Sequence, residues 1–344
     1  MQTVFPGGEN LQEESKMSFM KSQKNLAFVI AMIAGLGACA TFASAQDNVQ
    51  GPETRPSRLT VERITEGVYS GRGGVGAWGG IIVGTEGVIV IDPQETPAQR
   101  EKLFAEIAKI TPKPVTHVII THANPDHVRG LFGLPREVTI MGQENMAREM
   151  DLATKFVEEH AEWRYYLPTF VYDKRADLKI HGVNLTLLHW APAHTSGDTS
   201  IYLPDKKLVF IGDLGNAIPN VHLENFGSSE GMIETYKGLI ALDADTYVPG
   251  HGERLTKAGM QKILDNAIAM KAKIKQLFDE GKSLNDIRKA MGENVTPASP
   301  NITPPRLTFV GVVYRELSKG PICTGTKGGL PACAPNYSWL DLKE

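Results

Sequence analysis

Four apolar runs along the chain each lead into residues that can bind a metal. The run Val115 to Ile120 leads directly into the segment Thr121-His122-Ala123-Asn124-Pro125-Asp126-His127. Three later runs, at 183–188, 208–211 and 247–248, precede His194, Asp213 and His251. Short apolar runs bounded by turn residues are typical of buried strands, and strand ends hold side chains more rigidly than free loops do. The pattern therefore predicts one polar site at the place where several strands end.

The segments around these runs predict further strands and several helices. Thr96 and Pro97 favour the start of a helix that continues to Ile110, because threonine is a good N-cap and proline is tolerated at the first helical position. Further strands are expected at 59–69 and 81–91, and further helices at 143–160, 257–281, after Ser283 and at 306–317. These elements indicate an α/β chain.

The amino terminus has the pattern of a secretory signal peptide. Lys21 and Lys24 precede an apolar run at 26–37, and Ala43-Ser44-Ala45 then supplies a cleavage site with small residues. We expect residues 1–45 to be the signal peptide, with 1–16 as an upstream extension, and 46–58 to be a flexible leader. Two alternatives stay open, a buried helix and a lipoprotein cleavage that would tether the chain through Cys39. The expected location is the periplasm or the medium, with the lipid anchor as the second choice.

Composition and charge narrow the range of partners. The 344 residues are 42% hydrophobic and 22% charged, which is enough for a core and argues against disorder. The net charge is −3 and the chain has no basic stripe, which argues against a nucleic-acid partner. The run at 26–37 is too short for a stable membrane span. A small-molecule substrate is expected, and the sequence leaves the oligomeric state open.

The cysteine count agrees with export. Cleavage after Ala45 removes Cys39 and leaves Cys323 and Cys333, which are ten residues apart. In an oxidising compartment this pair is expected to form a disulfide bond. Two unrelated thiols remain the alternative.

The residue types of the first motif indicate a metal site. Neutral imidazole and carboxylate suit zinc, manganese or iron. A structural zinc site more often uses cysteine thiolates, and the sequence near the motif has none. The other interpretation is a polar loop with one hydrogen-bonded histidine.

Together the four motifs resemble those of the metallo-β-lactamase superfamily, whose pattern is H-x-H-x-D-H, a lone His, an Asp at a strand end and a late His. The resemblance covers Leu59 to Thr256 and implies a four-layer αββα sandwich as the catalytic domain, residues 59–256. Residues 257–344 would then be carboxyl-terminal helices and a tail that packs on it. By the same resemblance, the residues that match the metal positions are His122 and His194 for the first, Asp126, His127 and His251 for the second, and Asp213 for both, as in the glyoxalase II and lactonase branch.

The sequence departs from this family at Asn124, which stands where the family has its second histidine. An amide offers only a neutral oxygen, which is a poorer zinc ligand than imidazole. Asn124 is therefore a weak ligand at most. The cofactor is expected to be zinc, as one or two ions, and manganese or iron would suit the amide better. A degenerate, inactive site is the third alternative.

The resemblance implies an exported metal-dependent hydrolase in which a metal-activated hydroxide attacks a carbonyl substrate, such as an ester, lactone, thioester or β-lactam. Asp126 and His127 are the expected catalytic residues of the motif. His222 follows Asp213 by nine residues, and it either contacts substrate or shuttles a proton, or else lies on a solvated loop. An iron-dependent oxidoreductase of the same fold and a metal-binding accessory protein without turnover are the alternative functions.

Overall fold

The computed structural model describes residues 58–74, 76–156, 164–293, 307–319, 323–327 and 330–333. The predicted signal peptide, residues 1–45, and almost all of the leader at 46–58 lie outside this range. Both assignments stay predictions.

The first sheet has seven strands in chain order. They are β1 (Thr60–Thr65), β2 (Val68–Arg72), β3 (Gly80–Val83), β4 (Val88–Ile91), β5 (Val115–Ile119), β6 (Thr139–Gln143) and β7 (Phe170–Tyr172). Strands β1 to β4 pair antiparallel, and β4 to β7 pair parallel. The parallel strands are connected by helices, of which α1 (Pro97–Ile110), α2 (Pro125–Val128) and α3 (Glu144–Phe156) are described.

The second sheet has six strands in the order β13-β12-β11-β10-β9-β8. They are β8 (Arg175–Ile180), β9 (Val183–Leu188), β10 (Ser200–Leu203), β11 (Leu208–Gly212), β12 (Thr246–Pro249) and β13 (Leu255–Thr256). The β11–β12 pair is parallel, and the helix α4 (Ser229–Ala241) connects these two strands.

The two sheets pack face to face and carry helices on their outer faces. The layer between them is apolar and takes residues from both sheets, such as Ile89 and Ile119 from the first and Leu187 and Phe210 from the second. A second apolar cluster joins the first sheet to α1 and α3. A third joins the second sheet to α4, α5 (Lys257–Asp279), α6 (Leu284–Ala290) and α7 (Phe309–Lys319). This confirms the predicted αββα sandwich with carboxyl-terminal helices.

Two segments that the sequence predicted as single strands fold as pairs of strands. The segment 59–69 turns at Gly67, whose φ of +72° favours glycine. The segment 81–91 turns between Gly84 and Gly87, where Gly84 N donates to Gly87 O over 2.9 Å. In each segment a turn at glycine separates two strands. The pattern of apolar residues alone did not reveal these turns.

The helix at the carboxyl side of the predicted catalytic domain shares that domain's core. Ile263 and Ile274 of α5 lie in the same apolar cluster as Val209 of β11. The boundary between 256 and 257 remains a prediction. Further along, β14 (Cys323–Lys327) and β15 (Leu330–Cys333) form a two-stranded antiparallel sheet, and the register puts Cys323 opposite Cys333. In the described part of the chain no helix has the length and apolar character needed to cross a bilayer.

Candidate metal centre

The chain brings the six predicted ligands to the same end of the two sheets. His122 follows β5, and Asp126 and His127 lie on the short helix α2 that comes next. The remaining three side chains come from the second sheet, in the loop after β9 (His194), directly after β11 (Asp213) and after β12 (His251). The strand-end pattern that the sequence showed thus brings all six side chains together in space.

The six residues form two groups of three. His122, His194 and Asp213 make the first group, and Asp126, His127 and His251 make the second. Within each group the nitrogen and oxygen atoms that could bind a metal lie within 4.8 Å of one another. Distances of this size allow one ion to sit among three ligands after small shifts, because zinc–ligand bonds are about 2.0–2.3 Å long.

Asp213 lies between the two groups. Its Oδ1 atom is 3.3 Å from His127 Nε2, and its Oδ2 atom is 3.7 Å from His194 Nε2. The second group is closed by His251, whose Nε2 is 2.9 Å from Asp126 Oδ2. One carboxylate therefore faces both candidate metal positions.

Three buried atoms of the site suit a cation. His122 Nε2, His127 Nε2 and Asp213 Oδ1 have no hydrogen-bond partner among the described residues. A buried polar atom left without a partner costs about 1–3 kcal/mol. Two imidazole nitrogens and a carboxylate oxygen are donors that zinc accepts, so the residues fit a divalent metal.

A chain of hydrogen bonds fixes the orientation of two of the imidazoles. The Asp92 carboxylate accepts from His127 Nδ1 over 2.8 Å and from Thr121 Oγ1 over 2.7 Å. Thr121 Oγ1 in turn lies 3.0 Å from His122 Nδ1 and accepts a hydrogen bond from it. In the neutral form that metal ligation requires, both rings thus carry the proton on Nδ1 and direct the Nε2 lone pair into the site.

The charges of the site also favour a cation. Burial opposes the charging of His127, but the carboxylates of Asp126, Asp213 and Asp92 outweigh it and raise its pKa well above the usual range. Burial and the neighbouring His127 and His194 lower the pKa of His122 well below its usual range. The site therefore attracts positive charge on one side and keeps a neutral imidazole on the other.

Asn124 presents its amide nitrogen to the site. Its Nδ2 atom lies 3.1 Å from His194 Nε2 and 3.1 Å from His222 Nδ1. In this orientation it is a hydrogen-bond donor, whereas the weak ligand expected from the sequence would use the amide oxygen. His222 is only 1% exposed, so it is buried beside the first group and does not lie on a solvated loop. Its predicted contact with substrate or proton transfer stays a prediction.

Sequence reasoning missed Asp92. It follows the apolar strand β4 as Asp213 follows β11, and this shared pattern could have identified it. Asp92 also has a φ of +50°, a left-handed conformation that is uncommon outside glycine and that Asp and Asn tolerate best. The side chain is 1% exposed.

Known proteins resemble this chain in sequence and in fold. The family model of the metallo-beta-lactamase superfamily matches residues 72–251. Among solved structures, a metallo-beta-lactamase from Pontibacter korlensis aligns with a TM-score of 0.51 at 22% identity and covers 61% of this chain and 99% of its own. A stereoselective inverting sec-alkylsulfatase from Pseudomonas sp. aligns with a TM-score of 0.59 at 15% identity and covers 76% of this chain and 50% of its own. At these identities the structures show the fold alone.

Curated proteins of similar sequence differ in activity. A linear primary-alkylsulfatase of Pseudomonas sp. is 24% identical over 226 residues, which are 53% of this chain and 42% of the relative. The alpha subunit of a 2,4-dinitroanisole O-demethylase of Nocardioides sp. is 25% identical over 205 residues, 59% of this chain and 58% of the relative. A hydroxyacylglutathione hydrolase of Rhizobium meliloti is 28% identical over 154 residues, 44% of this chain and 54% of the relative. The chain thus spans about half the length of these relatives.

Proposed function

The chain belongs to the metallo-beta-lactamase superfamily, and from that premise we propose that it is a metal-dependent hydrolase. The observation that carries the proposal is the set of buried, unpartnered atoms His122 Nε2, His127 Nε2 and Asp213 Oδ1, which converge from both sheets. The proposed substrates are carbonyl compounds, namely esters, lactones, thioesters or β-lactams. Zinc, as one or two ions, is the proposed cofactor.

Each ligand has a proposed place. His122, His194 and Asp213 would hold the first ion, and Asp126, His127 and His251 would hold the second, with Asp213 facing both. A bound divalent metal would supply a Lewis acid and make hydroxide available near neutral pH.

Exposure indicates from which side a substrate reaches the site. The side chains of Asp126 and His251 are 31% and 29% exposed, whereas those of His127 and His194 are fully buried. Substrate therefore approaches along Asp126 and His251. Asp126 is the side chain placed to accept a proton from an attacking water, because it is both a carboxylate and accessible.

A sulfate ester is the second candidate substrate class. A relative of similar sequence that is named as a linear primary-alkylsulfatase supports it. Sulfate and carboxylic esters share the need for a polarised oxygen and an attacking water, so one panel of substrates can compare them.

The test is metal analysis and turnover with the purified full chain. Zinc or manganese together with hydrolysis of a carbonyl or sulfate ester supports the proposal. Iron with oxygen uptake would instead support the oxidoreductase alternative, and bound metal without turnover across the panel would support an accessory protein. His127→Ala should abolish hydrolysis. His117→Ala, which replaces a half-buried histidine in the middle of β5 and outside both ligand groups, should retain it.

We also propose that the chain is exported to the periplasm or the medium, with a lipid anchor at Cys39 as the alternative. The sequence at 21–45 supports export. The register that pairs Cys323 with Cys333 supports a disulfide, because residues directly opposite in an antiparallel pair have Cα atoms about 4.5–5.5 Å apart and a disulfide needs about 4.4–6.8 Å.

A further inference from the structure

Two imidazole nitrogens point at the same amide group. Asn124 Nδ2 is 3.1 Å from both His194 Nε2 and His222 Nδ1. His194 Nδ1 lies 2.7 Å from the carbonyl oxygen of Asn220, so this nitrogen carries the proton and Nε2 carries the lone pair. Asn124 must then present its NH2 group, and His222 Nδ1 accepts the second of its two hydrogens.

Lone pairs that converge on one electropositive group are arranged as they would be around a cation. The amide NH2 therefore stands where a metal could be bound by both rings. Zinc–nitrogen bonds of about 2.0–2.1 Å would require each nitrogen to move about 1 Å closer to that point. We propose that His222 is the third imidazole of the first metal position and replaces the imidazole that position 124 lacks. This inference rests on the proposed function.

The backbone holds His222 close to His194. His222 N donates to the His194 carbonyl over 2.8 Å, and the His222 carbonyl accepts from Gly227 N over 2.9 Å. The two ring centroids are 4.2 Å apart, and the His222 side chain is buried. A ligand held by packing and backbone hydrogen bonds loses little conformational entropy when it binds an ion, so His222 is suited to the role.

The exchange restores the chemistry of the first position. His122, His194, His222 and Asp213 together offer three imidazoles and one carboxylate, which zinc accepts more readily than an amide oxygen. Asn124 then acts as the occupant of the metal-free site. Its NH2 group donates to His194 Nε2 and His222 Nδ1, and an entering ion displaces it.

The experiment compares zinc content across four variants of the full chain. Each protein is loaded with excess zinc, passed over a weak chelating resin and measured by elemental analysis. Wild type should retain two zinc ions per chain, and His222→Ala one. His222→Ala combined with Asn124→His should return to two, because an imidazole then enters from the other side of the position. Asn124→Ala and the remote control His117→Ala should both retain two.

Cobalt substitution gives a second readout that does not depend on activity. Each coordinated imidazole with a ring N–H contributes one shifted, exchangeable proton signal in the NMR spectrum of the cobalt protein. If His222→Ala loses the first ion, it should lose the signals of His122 and His194 as well as its own, which is two more than the removal of its ring explains. Retention of two zinc ions by His222→Ala would overturn the inference, and so would a wild type that holds only one. Either result leaves the second position and the hydrolase proposal intact, whereas a wild type without zinc would overturn both. The double variant also shows that a chain without His222 folds.

Discussion

Asp92→Asn should weaken metal binding without removing any ligand. Asparagine has nearly the same shape as aspartate, and it tolerates the backbone φ of +50° at this position. An amide has one acceptor oxygen and one donor NH2, whereas the carboxylate accepts from Thr121 N, Thr121 Oγ1 and His127 Nδ1. If the oxygen keeps the bond from Thr121 N, the NH2 group faces His127 Nδ1. His127 must then accept at Nδ1 and carry its proton on Nε2, the atom that faces the metal position.

The magnitude follows from this change of tautomer. Loss of a hydrogen-bond partner that orients a ligand histidine costs about 10- to 100-fold in metal affinity. That factor equals about 1.4–2.7 kcal/mol of binding free energy. The loss of charge-assisted hydrogen bonds should also lower the unfolding free energy of the metal-free protein, by about 1–3 kcal/mol.

Asp198→Asn is the matched control. The Asp198 carboxylate is also buried and accepts from the backbone and the hydroxyl of one threonine, Thr195, but its carboxylate oxygens bond no imidazole. The unfolding free energy of Asp198→Asn should fall by about as much as that of Asp92→Asn, and its metal affinity should not change. The assays are competition with a zinc chelator and urea unfolding of the metal-free protein. Equal zinc affinity in Asp92→Asn and wild type would refute the reasoning.

Three further results are expected. Gly227→Ala should lower the unfolding free energy measured in urea by about 1–3 kcal/mol, because the added Cβ would lie 2.4 Å from the His194 carbonyl oxygen. An unchanged unfolding free energy would show that the backbone shifts to make room. Burial raises the pKa of Glu149 from 4.5 to about 8. The folded state therefore keeps a proton that the unfolded chain has lost, so stability should fall as the pH rises through this interval. Glu149→Gln should flatten that fall, and an unchanged slope in the unfolding free energy against pH would argue against the assignment. Mass spectrometry of exported protein should show Cys323 and Cys333 joined; two thiols that alkylate without reductant would contradict this.

The ligand positions could be predicted from sequence because they depend on local pattern. Each ligand follows a strand, and parallel neighbours such as β4 and β5, or β11 and β12, bring their carboxyl ends to one edge of a sheet. The fold could be predicted on the same basis, since the order of the motifs carries the resemblance to the superfamily. Strand breaks at Gly67 and Gly84 were missed because the apolar residues continue on both sides of each turn.

The contacts of Asn124 and His222 could not be predicted from sequence. These two residues are 98 positions apart, and their hydrogen bond depends on how the loop after β11 folds back towards the segment after β5. The spacing of residues along the sequence does not show which distant loops will meet in space. The sequence left a solvated loop open for His222, whereas the hydrogen bond from His222 N to the His194 carbonyl holds it inside the site.

The unpartnered atoms at the site also connect the protein to the metal supply of its surroundings. Without an ion, the folded chain bears the free-energy cost of burying His122 Nε2, His127 Nε2 and Asp213 Oδ1 without partners. Because an ion that binds only the folded state stabilises it by mass action, the unfolded fraction grows as free metal becomes scarce. Proteases remove that fraction continuously, so the amount of this protein should fall during metal starvation even when its synthesis is unchanged.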